Sequence, residues 1–263
     1  MVKTVLIFDS GVGGLSVYQE IHSLMPQVQY IYAFDNAAFP YGELAEDVLL
    51  QRTQHIVCLL AEQHNVDLVV IACNTASTIV LPTLRESLSI PVVGVVPAIK
   101  PAAALSQTKV IGLLATPATI HRSYTHELIS SFASNCDVRL IGSTRLVEIA
   151  EEKLRGLPVS IDEIAEIIKP WQKDVDCIIL GCTHFPLIKD EIRLALDKAI
   201  VIVDSGKAIA NRVKGLLGDV PSSHKKYLNL TYNSAATNYE AALNKSLEKI
   251  QLNAMQPLHR LDF

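Results

Sequence analysis

Short runs of large, mostly β-branched apolar residues alternate along this chain with longer stretches of helical periodicity, and that order is the signature of an α/β fold with parallel sheets. The runs at 5–8, 30–34, 68–72 and 92–96 are continuously apolar rather than alternating, so they read as strands buried on both faces. Between them, 14–25, 44–63 and 75–88 repeat apolar residues at helical spacing; Leu15, Tyr18, Ile21 and Met25 share one face. Pro26 and Pro91 follow two of these helices and end them. The order then returns, with strands at 110–114, 138–141, 178–180 and 201–203 and helices at 120–134, 144–155, 161–171, 185–197 and 207–217.

The second half resembles the first in detail. Segment 67–75 (DLVVIACNT) aligns with 176–184 (DCIILGCTH) at an offset of 109, which also places 92–93 on 201–202. An offset of 106 places 8–10 on 114–116. An acid, a four-residue apolar run, a small residue and a cysteine coincide, which indicates a duplicated unit. The expected architecture is two pseudo-symmetric, doubly wound parallel-sheet domains with the active site in the cleft between them. The first lobe takes 1–97 and the returning tail 207–263, and the second takes 98–206; Pro97, Pro101 and the alanine-rich 101–105 mark the crossing.

Charge and hydropathy exclude several classes of function. Lys and Arg number 23 against 27 Asp and Glu, a net charge of −4 without a basic cluster, so nucleic-acid binding is not the expected function. The apolar runs fall far short of the roughly 20 residues that a membrane helix needs. No signal-peptide pattern precedes residue 5, and the expectation is a soluble cytoplasmic protein. The five cysteines, 58, 73, 136, 177 and 182, form no C-x-x-C pair and make a poor disulfide or zinc framework.

Cys58, Cys136 and Cys177 read as core filler. Cys73 and Cys182 sit at strand ends, where open α/β sheets bind ligands, and each precedes polar residues that open a helix. Helix N-termini favour anions, so both thiols are expected to titrate below the usual value of about 8.5. Two activated thiols facing one ligand suit a racemase or epimerase that needs no cofactor or metal: one removes a proton and the other returns one from the opposite face. His184 is placed to relay protons for Cys182, and Asp9, ending the first strand, to do the same for Cys73. Asn74, Thr75, Thr116 and Thr183 are polar groups at strand ends, and Tyr41 with the Gly42 amide could clamp a carboxylate. Asp9, Ser10 and the threonines are equally suited to helix capping. The loop 11–16 (GVGGLS), with Asp35 closing the next strand, approximates a dinucleotide-binding fingerprint, but Asp9 ahead of it would repel a pyrophosphate.

Segments 7–17 (IFDSGVGGLSV), 40–42 (PYG), 72–77 (ACNTAS) and 181–187 (GCTHFPL) together resemble the signatures of bacterial glutamate racemases, within the aspartate/glutamate racemase superfamily, over residues 3 to about 218. The resemblance implies cofactor-independent interconversion of L- and D-glutamate, supplying D-glutamate for peptidoglycan. It implies that Cys73 deprotonates the D-enantiomer and Cys182 the L-enantiomer, assisted by Asp9 and His184. Ser10, Tyr41, Gly42, Asn74, Thr75, Thr116 and Thr183 would bind substrate, and Glu148 would be an acid near the second thiol. Some gram-negative relatives use a cell-wall nucleotide precursor as activator; the sequence leaves activation and a homodimer open here. Aspartate or hydantoin racemases, maleate isomerase, a dinucleotide-dependent dehydrogenase and a non-catalytic amino-acid-binding protein are the alternatives.

Overall fold

The structure is a computed structural model that describes residues 2–171, 173–196, 199–221 and 227–258. Strands β1 (Thr4–Asp9), β2 (Gln29–Phe34), β3 (Leu68–Ile71) and β4 (Val92–Gly94) enter one sheet, and β5 (Val110–Ala115), β6 (Asp137–Gly142), β7 (Cys177–Leu180) and β8 (Val201–Val203) form a second. Two further strands, β9 (Leu230–Asn233) and β10 (Met255–Pro257), extend the first sheet beside β2. The orders are β10-β9-β2-β1-β3-β4 and β6-β5-β7-β8, and every pairing is parallel.

The internal repeat is visible in the register. Val5 opposes Leu68 and Ile111 opposes Cys177, a pair that the offsets of 106 and 109 superpose. The outer strand slips by one residue: Val69 opposes Val92, whereas Ile178 opposes Ile202. The central strands of both sheets are buried on both faces. Val5 and Ile7 pack into one core while Leu6 and Phe8 pack into another. The second sheet divides likewise, with Ile178 and Leu180 on one side and Cys177 and Ile179 on the other.

Helices α1 (Leu15–Leu24), α2 (Glu46–Gln63) and α3 (Asn74–Ser87) lie close to the expected spans. The expected crossing at 97–105 instead contains α4 (Ile99–Leu105), which tolerates Pro101 because first-turn amides have no intrahelical acceptor. The expected helix at 120–134 is split into α5 (Pro117–His121) and α6 (Ser123–Phe132), since Arg122 takes an extended conformation between them. Helix α7 (Arg145–Leu154) is continuous. Helix α8 (Ile161–Ile168) gives way to a 3-10 turn at Lys169–Trp171, where Pro170 lacks the amide to continue the ladder. The segment after Cys182 starts as a 3-10 turn, Phe185–Ile188, before α9 (Lys189–Leu194); the expected end at Asp197 lies outside the described residues. Helix α10 (Gly206–Leu217) lies against α1, and α11 (Glu240–Lys249) touches α7. Among the described residues no helix is long and apolar enough to cross a membrane.

Candidate active site

The site forms where the C-terminal strand ends of the two sheets meet. Asp9 ends β1 fully buried. Its Oδ1 accepts the Ser10 amide at 2.6 Å, and its Oδ2 accepts the Gly14 amide and, at 3.2 Å, the Thr183 hydroxyl from beyond β7. One carboxylate thus organises the glycine loop and reaches the other sheet. The glycines serve that docking rather than a pyrophosphate: a Cβ on Gly11 would strike the Glu151 carboxylate, and one on Gly13 would strike the His184 ring. Asp35, the other part of the dinucleotide pattern, is fully buried, accepting the Tyr41 hydroxyl at 2.7 Å and two Arg52 nitrogens at 2.6 and 2.8 Å. It anchors the loop that carries Tyr41 and Gly42.

The two thiols have different surroundings. Cys73 is the N-cap of α3: its sulfur accepts the Ala76 amide at 3.5 Å and lies 3.8 Å from the Ser10 hydroxyl. The expected lowering of its pKa does not occur. Burial, and after it the charge of Asp9, push the Cys73 thiol well above its ordinary value, against the smaller pull of the Ala76 amide. Cys182 precedes a 3-10 turn instead of an α-helix, and its sulfur lies 3.7 Å from Nδ1 of His184. The other ring nitrogen, Nε2, is 2.8 Å from Oε1 of Glu151, which also accepts the Val12 amide at 2.8 Å. Burial opposes the imidazolium, but the hydrogen bonds and charges of Cys182 and Glu151 outweigh it, holding His184 well above the ordinary histidine range. Glu151 sits below the usual carboxylate range: burial raises it, and His184, Arg155 and the Val12 amide overcome that. Both shifts favour the imidazolium–carboxylate form of the pair.

Eleven of the twelve sequence-derived site residues line one cavity of about 20 Å³: Asp9, Ser10, Tyr41, Gly42, Cys73, Asn74, Thr75, Thr116, Cys182, Thr183 and His184. Phe39, Pro40 and Val147 complete its wall. Buried Asn74 brings Oδ1 without a hydrogen-bond partner, an acceptor suited to a ligand's ammonium. The Thr75 hydroxyl meets Thr119 at 3.4 Å and Thr116 at 3.5 Å, a cluster spanning the two sheets that includes Thr119, which sequence reasoning did not single out. Tyr41 lines the cavity, and its hydroxyl is committed to Asp35.

Glu148 is not brought to the second thiol. It lies half-exposed on α7, 3.2 Å from Arg145, and Glu151 one turn later is the acid at His184. The signal for Glu151 was present in the sequence. Val147, Ala150, Glu151 and Leu154 follow i, i+3, i+4, i+7, so Glu151 is an acid on the apolar stripe of α7.

Comparison with known proteins places the chain in a family. The Asp/Glu/Hydantoin racemase family model matches residues 6–213. A glutamate racemase of Aliivibrio salmonicida is 60% identical over 259 residues, covering 98% of this chain and 97% of that protein. One from Vibrio cholerae is 56% identical over 253 residues, covering 96% and 95%. The crystal structure of Escherichia coli glutamate racemase, in complex with L-glutamate and the activator UDP-MurNAc-ala, superposes with a TM-score of 0.93 at 48% identity over 98% of each chain. The chain belongs to the Asp/Glu/hydantoin racemase family and, within it, to the glutamate racemases, which are amino-acid isomerases.

Proposed function

We propose that this chain interconverts L- and D-glutamate by proton transfer between Cys73 and Cys182, without a cofactor. The observation that carries the reading is one cavity holding a thiol from each sheet, each beside its own proton partner. Cys73 as thiolate takes the α-proton of D-glutamate while Cys182 as thiol delivers a proton to the other face; for L-glutamate the roles reverse. Burial pushes the Asp9 carboxyl up to about 6, against the opposing charge of His184 and the Ser10 and Gly14 amides. That brings Asp9 near enough to neutrality to exchange a proton with Cys73. His184 serves Cys182 in the same way. Asn74 Oδ1 takes the substrate ammonium, and Ser10, Thr75, Thr116, the Thr183 backbone amide and the Gly42 amide meet its carboxylates as neutral groups.

A cavity of about 20 Å³ has room for one water but not for glutamate. Substrate therefore enters when the lobes, 1–97 with 207–263 and 98–206, part and close again. The product D-glutamate supplies peptidoglycan synthesis in the cytoplasm, and a cell-wall nucleotide precursor, as in the Escherichia coli relative's complex, is the proposed activator.

Polarimetry with L- or D-glutamate and no added cofactor, with and without UDP-MurNAc-Ala, should show optical rotation decaying to zero. Aspartate and glutamine should react slower by orders of magnitude, because they leave site donors unpaired. Comparable kcat/KM for aspartate would place the activity in the neighbouring branch of the family.

The Asp9 titration gives a second expected result. The folded carboxyl titrates near 6, and the ordinary value is 3.8, so the fold favours the protonated form. That stabilisation is complete below about pH 4 and is lost as pH rises through 6. Urea midpoints of Asp9→Asn should accordingly depend less on pH between 4 and 6 than those of the parent. The kcat/KM of the parent should also fall below about pH 6, where Asp9 can no longer accept a proton. Identical pH dependence of the midpoints in both proteins would contradict the raised titration.

A further inference from the structure

We propose that Arg155 is a positioning residue for the Cys182 relay: tied to Thr237, it fixes Glu151 and weakens that carboxylate's hold on the imidazolium proton of His184. The proposal rests on the two-thiol reading above.

The geometry runs outward from the sulfur. Cys182 faces His184, and His184 faces Glu151, whose Oε1 already carries the Val12 amide and Nε2 of His184, each at 2.8 Å. The remaining oxygen, Oε2, accepts Nη1 of Arg155, which also reaches the Glu151 carbonyl at 2.9 Å. The second guanidinium nitrogen, Nη2, donates to Thr237 Oγ1 at 3.2 Å. Both side chains are largely buried, Arg155 at 13% exposure and Glu151 at 11%, so little water competes for the pair.

Thr237 is itself held in place. Its loop follows β9, and Asn36 at the end of β2 accepts the Ser234 and Ala235 amides at 3.1 Å each and donates to the Ala235 carbonyl at 2.7 Å. From the other side, Ser246 of α11 donates to the Leu154 carbonyl at 2.8 Å. The C-terminal segment thereby supplies a fixed anchor for the guanidinium. This gives that segment a part in the chemistry although none of its described residues lines the cavity.

Charge gives Arg155 more than a packing role. Facing Glu151 are Arg155, His184 and the Val12 amide; facing His184 are Cys182, Glu151 and, through space, Asp9, with the Phe39 ring alongside. The Tyr32 phenol is buried within the field of Glu151 and Asp9. Glu148 and Glu152 both pair with Arg145 instead. Glu151 is therefore shared between two cations. Without Arg155, His184 is its single cationic partner and holds its proton more tightly, at the expense of transfer to Cys182. A unit charge within about 10 Å, at an effective dielectric near 20, corresponds to about one pH unit or more.

The test is NMR titration of the His184 ring in the substrate-free protein. In Arg155→Gln the titration should move upward by about one pH unit, and kcat/KM at neutral pH should fall about tenfold with its limb displaced in step. Arg155→Lys, which keeps the charge, should return the titration to its original position. Thr237→Val should leave it in place while lowering kcat/KM, because the guanidinium loses its anchor and keeps its charge. An unmoved titration in Arg155→Gln, or one that Arg155→Lys fails to restore, would overturn the proposal and leave Arg155 a structural residue. The titration is read without turnover, so it fails or succeeds separately from the two-thiol reading, which retained activity in Cys182→Ser would refute.

Discussion

Replacing either Cys73 or Cys182 by serine should lower kcat/KM by about 10²–10⁴-fold, the usual worth of a positioned acid or base. Serine keeps the shape of the side chain, but its hydroxyl does not ionise in a useful pH range, so that residue can neither abstract the α-proton as an anion nor release a proton as readily. Every turnover uses both groups, so one substitution stops both directions. The loss must also be equal for the two enantiomers. They have the same free energy in achiral solvent, which fixes the ratio of the two kcat/KM values at one, so any asymmetry can appear in kcat and KM separately but not in their quotient. Cys177→Ser provides the contrast. Cys177 is buried within β7, packed in the core on one side of its sheet and outside the cavity, so serine there should cost stability more than chemistry. Full activity in Cys73→Ser or Cys182→Ser would remove that sulfur from the mechanism.

The second large effect is isotopic. In D2O at early times, L-glutamate should give D-glutamate carrying deuterium at the α-carbon, with little deuterium in the recovered L-glutamate, and the reverse reaction should show the mirror pattern. The thiolate that removes the substrate proton keeps it during the event, whereas the opposite thiol donates one already equilibrated with solvent. A single base moving between faces would return much of the original proton to the product. Product that retains mostly protium would sink the two-thiol mechanism.

How much of this was legible in the residues follows from the range of the forces involved. The central strands β1, β2, β3, β5 and β7 were readable because a strand buried on both faces must be largely apolar, and the helices between them because one apolar stripe must recur every 3.6 residues. The duplication was readable because equivalent positions solve the same packing problem, and the common register of Val5 with Leu68 and Ile111 with Cys177 is its structural counterpart. Strands β9 and β10 were missed. They are four and three residues long at one end of the first sheet; β9 pairs with β2, about 200 residues away, and β10 pairs in turn with β9, so local pattern dictates neither.

The site residues divide along the same line. The sequence by itself determined the local facts: which polar and thiol groups stand at strand ends, since chain direction and strand length place them there. Only the tertiary structure decided which groups meet and what field they feel. Glu148 and Glu151 are three residues apart on one helix, and the rotation and depth at which α7 docks select Glu151 for His184. The glycine loop became a docking surface for Glu151 and His184 because the second unit fills the space that a pyrophosphate would need. Cys73 lies at a helix N-terminus, yet its thiol is pushed up, because the cost of burying a charge beside Asp9 exceeds what the helix end returns. Desolvation depends on all the atoms packed around a group, and those atoms come from both halves of the chain and from its C-terminal segment.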